Sequence, residues 1–174
     1  MESLKKRLSC IIHTKQYYDD IIKIKIFKEE NIMENNKNQT PGGMFGLGEE
    51  NSAFAQYFIG KSYLKPLTDP QKTVFIANVT FEPGCRNNWH IHHADKGGGQ
   101  LLICVDGKGW YQEEGKEAVS LSPGDVITIP AEVKHWHGAQ SDSWFSHLAV
   151  ECPGENTSNE WLEPVDDEAY GKLK

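Results

Sequence analysis

The sequence predicts an all-β domain, a sandwich or a closed barrel, over residues 53–174. Short runs of strand-forming residues recur throughout, turn signals separate them every 8–12 residues, and no strand alternates with a long helical pattern as a βαβ fold would require. Residues 73–81 alternate apolar and polar side chains and stop at Glu82-Pro83-Gly84, a turn sequence. The apolar run at 100–105 ends at Asp106-Gly107, which reads as a hairpin marker. Residues 110–112 lead into a Glu114-Gly115 turn, and Ser122-Pro123-Gly124-Asp125 precedes a strand at 126–129. Two further strands are expected at 133–138 and 143–151. Residues 159–174 are expected to finish in a short helix capped near Asp166, and no internal repeat is visible.

Composition narrows the function classes. A chain of 174 residues suits one domain with a real core, and its 38% apolar and 25% charged residues are ordinary for a soluble globular protein. No apolar run approaches the ~20 residues of a membrane span. The net charge of −7 and the lack of a basic stripe argue against nucleic acid, which needs clustered positive charge. A small-molecule substrate is the expected partner.

Residues 1–52 read as a poorly structured N-terminal extension. Residues 1–32 carry seven basic and five acidic residues, leaving 11 basic against 20 acidic in the remainder. The apolar stretch at 8–12 is too short for a secretory signal and no small-residue cleavage site follows. Met33 opens an Asn-rich stretch resembling an ordinary protein start, so residues 1–32 are a candidate for upstream sequence not native to the protein. The four cysteines, Cys10, Cys85, Cys104 and Cys152, form no C-x-x-C pair, and a reducing cytoplasm is expected. Cys104 lies in an apolar run and reads as an inert buried thiol, whereas Cys85 follows a Pro-Gly turn, a placement compatible with exposure.

Histidine placement carries the functional signal. Side chains two apart on a strand share a face, which groups His90 with His92 and His135 with His137. Neutral imidazole is the commonest protein ligand for first-row divalent metals. Two imidazoles on one strand and a third from a neighbouring strand make one side of a coordination sphere. Gln100, which opens a strand after the Lys96-Gly97-Gly98-Gly99 loop, is the fourth candidate, and Asp95 is an alternative to it. A single buried histidine is more often a hydrogen-bonded core residue than a ligand, but two such pairs shift the balance towards metal. His93 points away from His92, and His13 is given no role. The five tryptophans read as packing residues, with Trp89 and Trp136 alternating away from the metal face.

The segment from Gly84 through Trp89-His90-Ile91-His92 resembles the first half of the cupin motif, a glycine, five residues and H-x-H. Gln100, six residues and Gly107 resemble its closing half, with Gln in place of the usual Glu. The segment from Gly124 to Pro130, followed by His135, resembles the second motif. Two departures stand out: seven residues separate His92 from Gln100 where three or four are usual, and Glu132 replaces a usual glycine. The resemblance covers roughly residues 54–165 and implies a double-stranded β-helix, or jelly-roll, barrel around His90, His92, Gln100 and His135 as metal ligands.

Lys134-His135-Trp136-His137-Gly138-Ala139, Trp144-Phe145-Ser146-His147-Leu148-Ala149 and residues 160–165 resemble small bacterial cupins named for carboxymuconolactone decarboxylase, and the related cupin hydroxynitrile lyases. That resemblance implies one divalent ion, manganese or iron foremost, with zinc or nickel also compatible. It implies catalytic roles for His137 and His147, a small pocket wall at Ala77 and Val79 with Asn87 beside it, and pairing as a homodimer in which residues 54–64 could take part. The decarboxylase name derives largely from an unrelated helical domain that is not recognisable here. The four donors are uncharged, so the ion is expected to keep its full +2 charge and act as a strong Lewis acid. The leading expectation is a metal-dependent lyase acting on a small hydroxylated or carbonyl compound. A metal-dependent oxidoreductase using dioxygen and a non-enzymatic metal- or small-molecule-binding protein are the alternatives.

Overall fold

The structure, a computed structural model, describes residues 41–173. The reading of residues 1–32, His13 included, lies outside the described residues. In chain order the strands are β1 (Glu49–Glu50), β2 (Phe58–Ile59), β3 (Ser62–Pro66), β4 (Ile76–Phe81), β5 (Arg86–Asn87), β6 (His90–His93), β7 (Lys96–Gly97) and β8 (Gln100–Gly107). They continue with β9 (Gly109–Glu113), β10 (Val119–Leu121), β11 (Val126–Ile129), β12 (His135–Ala139), β13 (Phe145–Glu151), β14 (Gly154–Glu155) and β15 (Ser158–Trp161). One helix, α1 (Asp167–Gly171), closes the described chain, and its cap is the expected one: Asp166 accepts from the Ala169 N–H at 2.8 Å.

The strands form two main antiparallel sheets of the jelly-roll type, and β7 and β14 make a small two-stranded sheet beside them. One has the order β1-β3-β4-β13-β8-β11; the other runs β10-β9-β12-β5-β2, with β6 pairing to both β12 and β15. Strand β8 shows why they close on a common core. Its buried positions are Gln100, Leu102, Cys104 and Asp106, one face of a period-two strand. Leu102 and Cys104 meet Phe81, Phe145, Tyr111 and Ile129 from both sheets, in the main apolar core. Strand β12 is buried on both faces, since His135 and His137 point one way while Trp136 packs with Trp110 and Val165 in a second apolar cluster. Trp89 packs against that second cluster, on the side expected for it.

The segment Asp106-Gly107 is not a hairpin. Strand β8 pairs with β11 and β13, whereas β9 pairs with β10 and β12, so the chain there turns a corner from one sheet to the other. Gly107 has φ 69°, and a Cβ on it would lie 1.8 Å from the Trp144 carbonyl oxygen, so the corner needs glycine. The turn chemistry was legible, but the same chemistry serves a hairpin and a corner.

Cys85 is buried rather than exposed, because the backbone after Gly84 turns inward, and burial pushes its thiol up to about 12. Cys104 is buried as expected, and burial pushes its thiol up to about 12 as well. Residues 41–52, assigned from sequence to the weakly structured extension, make specific contacts with the domain. The buried Asn78 amide donates to the carbonyls of Gly42 and Gly46, both at 3.0 Å, and β1 pairs with β3.

Candidate metal centre

Strand register gathers the histidines. His90 and His135 are direct partners across β6 and β12, with ring centroids 4.1 Å apart. His92, one period along β6, has its ring 5.2 Å from His90 and 5.4 Å from His135. His137 lies on the same face of β12, its ring 5.5 Å from His90. Nitrogen atoms of His90, His135 and His137 all lie within 4.8 Å of one another, a grouping able to hold a metal ion. The ligands expected from sequence and this grouping therefore share His90 and His135 and differ in whether His92 or His137 completes them.

Hydrogen bonding separates the candidates. His90 Nδ1 faces the Asn88 carbonyl at 3.0 Å and His135 Nδ1 faces the Val133 carbonyl at 2.9 Å. Each carbonyl can only accept, which puts the proton on Nδ1 and leaves Nε2 as a lone-pair donor, the arrangement metal-binding imidazoles use. His135 Nε2, both nitrogens of His92, both nitrogens of His147 and Gln100 Oε1 are buried without a hydrogen-bond partner from the described residues. Leaving one such group unsatisfied costs about 1–3 kcal/mol, so a convergence of them points to a ligand that satisfies all. His137 is engaged instead: its backbone N–H donates to Asn87 Oδ1 at 2.9 Å, and the Asn87 amide nitrogen lies 3.1 Å from its Nε2. The donor set His90, His92, His135 and Gln100 thus fits a divalent ion in residue chemistry, and His92, His135 and Gln100 fit it also in unsatisfied valence.

Burial keeps the His90 and His135 imidazoles neutral. His90 is held well below its ordinary value, first by burial and then by neighbouring His135 and His92. His135 is lowered to about 4 by burial, partly opposed by its hydrogen bond to Val133. Neutral imidazole is the ligating form.

A cavity of about 450 Å³ adjoins the cluster. His90, His92, Gln100, His137 and His147 line it, and so do Ala77, Val79 and Asn87, the residues assigned to a substrate pocket from sequence. His147 is fully buried, its ring 4.7 Å from that of His137 and edge-on to it. Asp95, the alternative fourth ligand, is exposed and accepts from Asn156 at 2.7 Å, away from the cavity. The lengthened loop explains this: Lys96 and Gly97 form β7 and pair with β14, while Gly97, Gly98 and Gly99 adopt positive φ and return the chain to Gln100. His93 faces away and bridges Glu132 and Glu160 at 2.7 and 2.8 Å. Glu132 stands at φ 66°, the left-handed backbone that suits the glycine it replaces, and its carboxylate offsets the strain by accepting from the Ala94 N–H.

Sequence reasoning missed two residues. Trp161, assigned to packing, lines the cavity and stacks on His90 with centroids 4.7 Å apart, while its other neighbour Tyr57 lies 4.7 Å away and nearly parallel. Glu151 also lines the cavity; its carboxylate accepts from Gln100 Nε2 at 3.3 Å and approaches His92 Nδ1 at 3.5 Å, too long for a well-formed hydrogen bond. Burial pushes the Glu151 carboxyl upward, but His92 and Gln100 outweigh it and hold it below its ordinary value. An ionised carboxylate therefore sits beside a donor set that sequence read as wholly uncharged. Both positions depend on cross-strand register, Trp161 opposite His90 and Glu151 opposite Gln100, which no local motif reports.

Two antiparallel sheets closed over a histidine-lined cavity define a cupin-type barrel, and comparison with known proteins agrees. The family model described as a cupin domain matches residues 77–150. The (R)-mandelonitrile lyase of Granulicella tundricola is 38% identical over 118 residues, which span 67% of this chain and 87% of the lyase. A crystal structure of a cupin-like protein from Thermotoga maritima superimposes with a TM-score of 0.64 at 37% identity, covering 74% of this chain and 95% of that one. The chain belongs to the cupin family. No helix among the described residues is long and apolar enough to cross a membrane.

Proposed function

We propose that this cupin is a metal-dependent lyase that cleaves a small, neutral, hydroxylated compound of the cyanohydrin class. The observation that carries the reading is the set of unpartnered buried donor atoms on His135 and, at the wall of a cavity that also holds His137 and His147, on His92 and Gln100. The similarity to a mandelonitrile lyase supports the choice of substrate class. His90, His92, His135 and Gln100 would hold the ion, with manganese or iron as first candidates and zinc or nickel as alternatives. A divalent ion there supplies a charge that polarises a bound oxygen and stabilises negative charge developing on it.

The chain supplies proton handling and shape. His137 is buried and held well below its ordinary value, by burial first and then by His147 and His90, so it starts neutral and able to accept a proton. The Asn87 amide nitrogen lies 3.1 Å from Nε2 and 3.4 Å from Nδ1 and holds the ring in place. In cyanohydrin cleavage the His137 imidazole exchanges its contact with the Asn87 amide for the substrate hydroxyl and takes that proton as the carbon–cyanide bond breaks and the carbonyl forms. The same proton then leaves with cyanide as hydrogen cyanide, so the imidazole returns neutral. His147, lowered to about 4 by burial and edge-on to His137, orients that ring and contributes to its neutrality. Ala77, Val79 and Trp161 give the substrate an apolar seat that excludes water.

The test is benzaldehyde release from racemic mandelonitrile in anaerobic buffer, with metal-loaded and chelator-stripped protein. Metal-dependent release that persists without oxygen supports the lyase. Oxygen uptake in place of cleavage would favour the oxidoreductase, and full activity in stripped protein would refute a metal-dependent reaction.

A further inference from the structure

Gln100 opens β8, Glu151 closes β13, and the two are register partners. Gln100 Nε2 donates to Glu151 Oε1 at 3.3 Å, and Gln100 Oε1 is buried without a partner. The two ends of a glutamine amide have nearly the same shape, yet only the oxygen offers a lone pair to a metal. A carboxylate accepts and never donates, so it holds the amide nitrogen against itself and turns the oxygen the other way. Reversing the amide would set two oxygens against each other at the same distance.

We infer that Glu151 is a positioning residue for the metal centre. It fixes which end of the Gln100 amide faces the histidines, and so makes Gln100 an oxygen donor. This rests on the metal-site reading above. A neutral ligand that can present either end needs such a partner, whereas a carboxylate at position 100 would not. The role is one of orientation through Gln100, whose amide is within hydrogen-bond distance where His92 Nδ1 is not well placed, and this separates it from simple attraction between a carboxylate and a cation.

The test is calorimetric titration of the stripped full-length chain with Mn2+. Glu151→Met is expected to weaken binding tenfold or more. Glu151→Gln can accept from Gln100 Nε2 or, with that amide reversed, donate to its Oε1; two orientations of similar energy lower the productive one by about twofold, so binding is expected to stay within threefold of wild type. In a Gln100→Ala background, Glu151→Met is expected to cost nothing further, because the group it positions is gone. An equal loss in that background, no loss in the wild-type background, or a loss in Glu151→Gln as large as in Glu151→Met would each overturn the inference. Circular dichroism checks that each variant folds, and Glu151→Ala takes the place of Glu151→Met should the latter fail. A wild-type chain that takes up neither Mn2+ nor Zn2+ overturns the metal reading together with this inference. One that binds metal but is indifferent to Glu151 overturns this inference alone.

Discussion

His90 and His135 face each other across β6 and β12 with ring centroids 4.1 Å apart, and each has its Nδ1 against a backbone carbonyl. Two buried imidazoles so close, both pushed towards the neutral form, gain stability from a cation that their own protons cannot supply. Metal should therefore stabilise the fold by mass action. At a hundredfold excess over Kd the gain is about 2.7 kcal/mol, which raises Tm by roughly 5–10 °C in a chain of this size. Differential scanning calorimetry of stripped and loaded protein measures it, and an unchanged Tm would argue against a site in the native state.

His137 should be needed for turnover but not for metal retention. Its ring is held by Asn87 rather than left unpartnered. His137→Gln is expected to lower kcat by about 10²- to 10⁴-fold, the usual range for loss of a general base. Metal content by inductively coupled plasma spectrometry should stay at the wild-type level. Loss of metal together with activity would move His137 into the ligand set.

Trp161 should govern substrate affinity. It stacks with His90 and with Tyr57 and forms part of the cavity wall. An aromatic contact is worth about 0.5–1.5 kcal/mol, so Trp161→Leu is expected to raise KM for an aryl cyanohydrin by about 2- to 10-fold. An aliphatic cyanohydrin should respond less. Equal effects on both substrates would indicate a packing role only.

The fold and most of the site were legible because they rest on short-range signals. Period-two alternation, turn residues and H-x-H spacing put His90, His92 and His135 on inward faces, and the structure places their rings around one point. What escaped was set by register between strands distant in sequence. Nothing near Glu151 indicates that it ends opposite Gln100, and nothing near Trp161 indicates that it pairs with His90. Asp106-Gly107 failed for a different reason, since a turn sequence specifies backbone dihedral angles and not which strand comes next. The cysteine after Gly84 was misjudged because local polarity says little about a chain that turns inward.

The C-terminal helix should depend on Arg86. This buried side chain donates to the Val165 carbonyl at 3.2 Å, pairs with Asp167 and lies over the Tyr170 ring at 4.3 Å. Arg86→Met removes the hydrogen bonds and the cation–π contact, and is expected to cost about 1–3 kcal/mol in urea unfolding. Asp167→Asn should cost much less, because the Asp167 side chain is 89% exposed. Comparable losses for the two would show that the ion pair, and not the buried donor, fastens the helix.

The central claim is that His90, His92, His135 and Gln100 form one metal centre. Titration of stripped protein with Mn2+ tests it most directly, comparing wild type with single alanine variants of His90, His92, His135 and His137. One ion per chain is expected, with affinity falling by more than about 100-fold in the first three variants and His137→Ala within tenfold of wild type. Zero stoichiometry in the wild type, or a collapse of affinity in His137→Ala with His92→Ala unaffected, would contradict it.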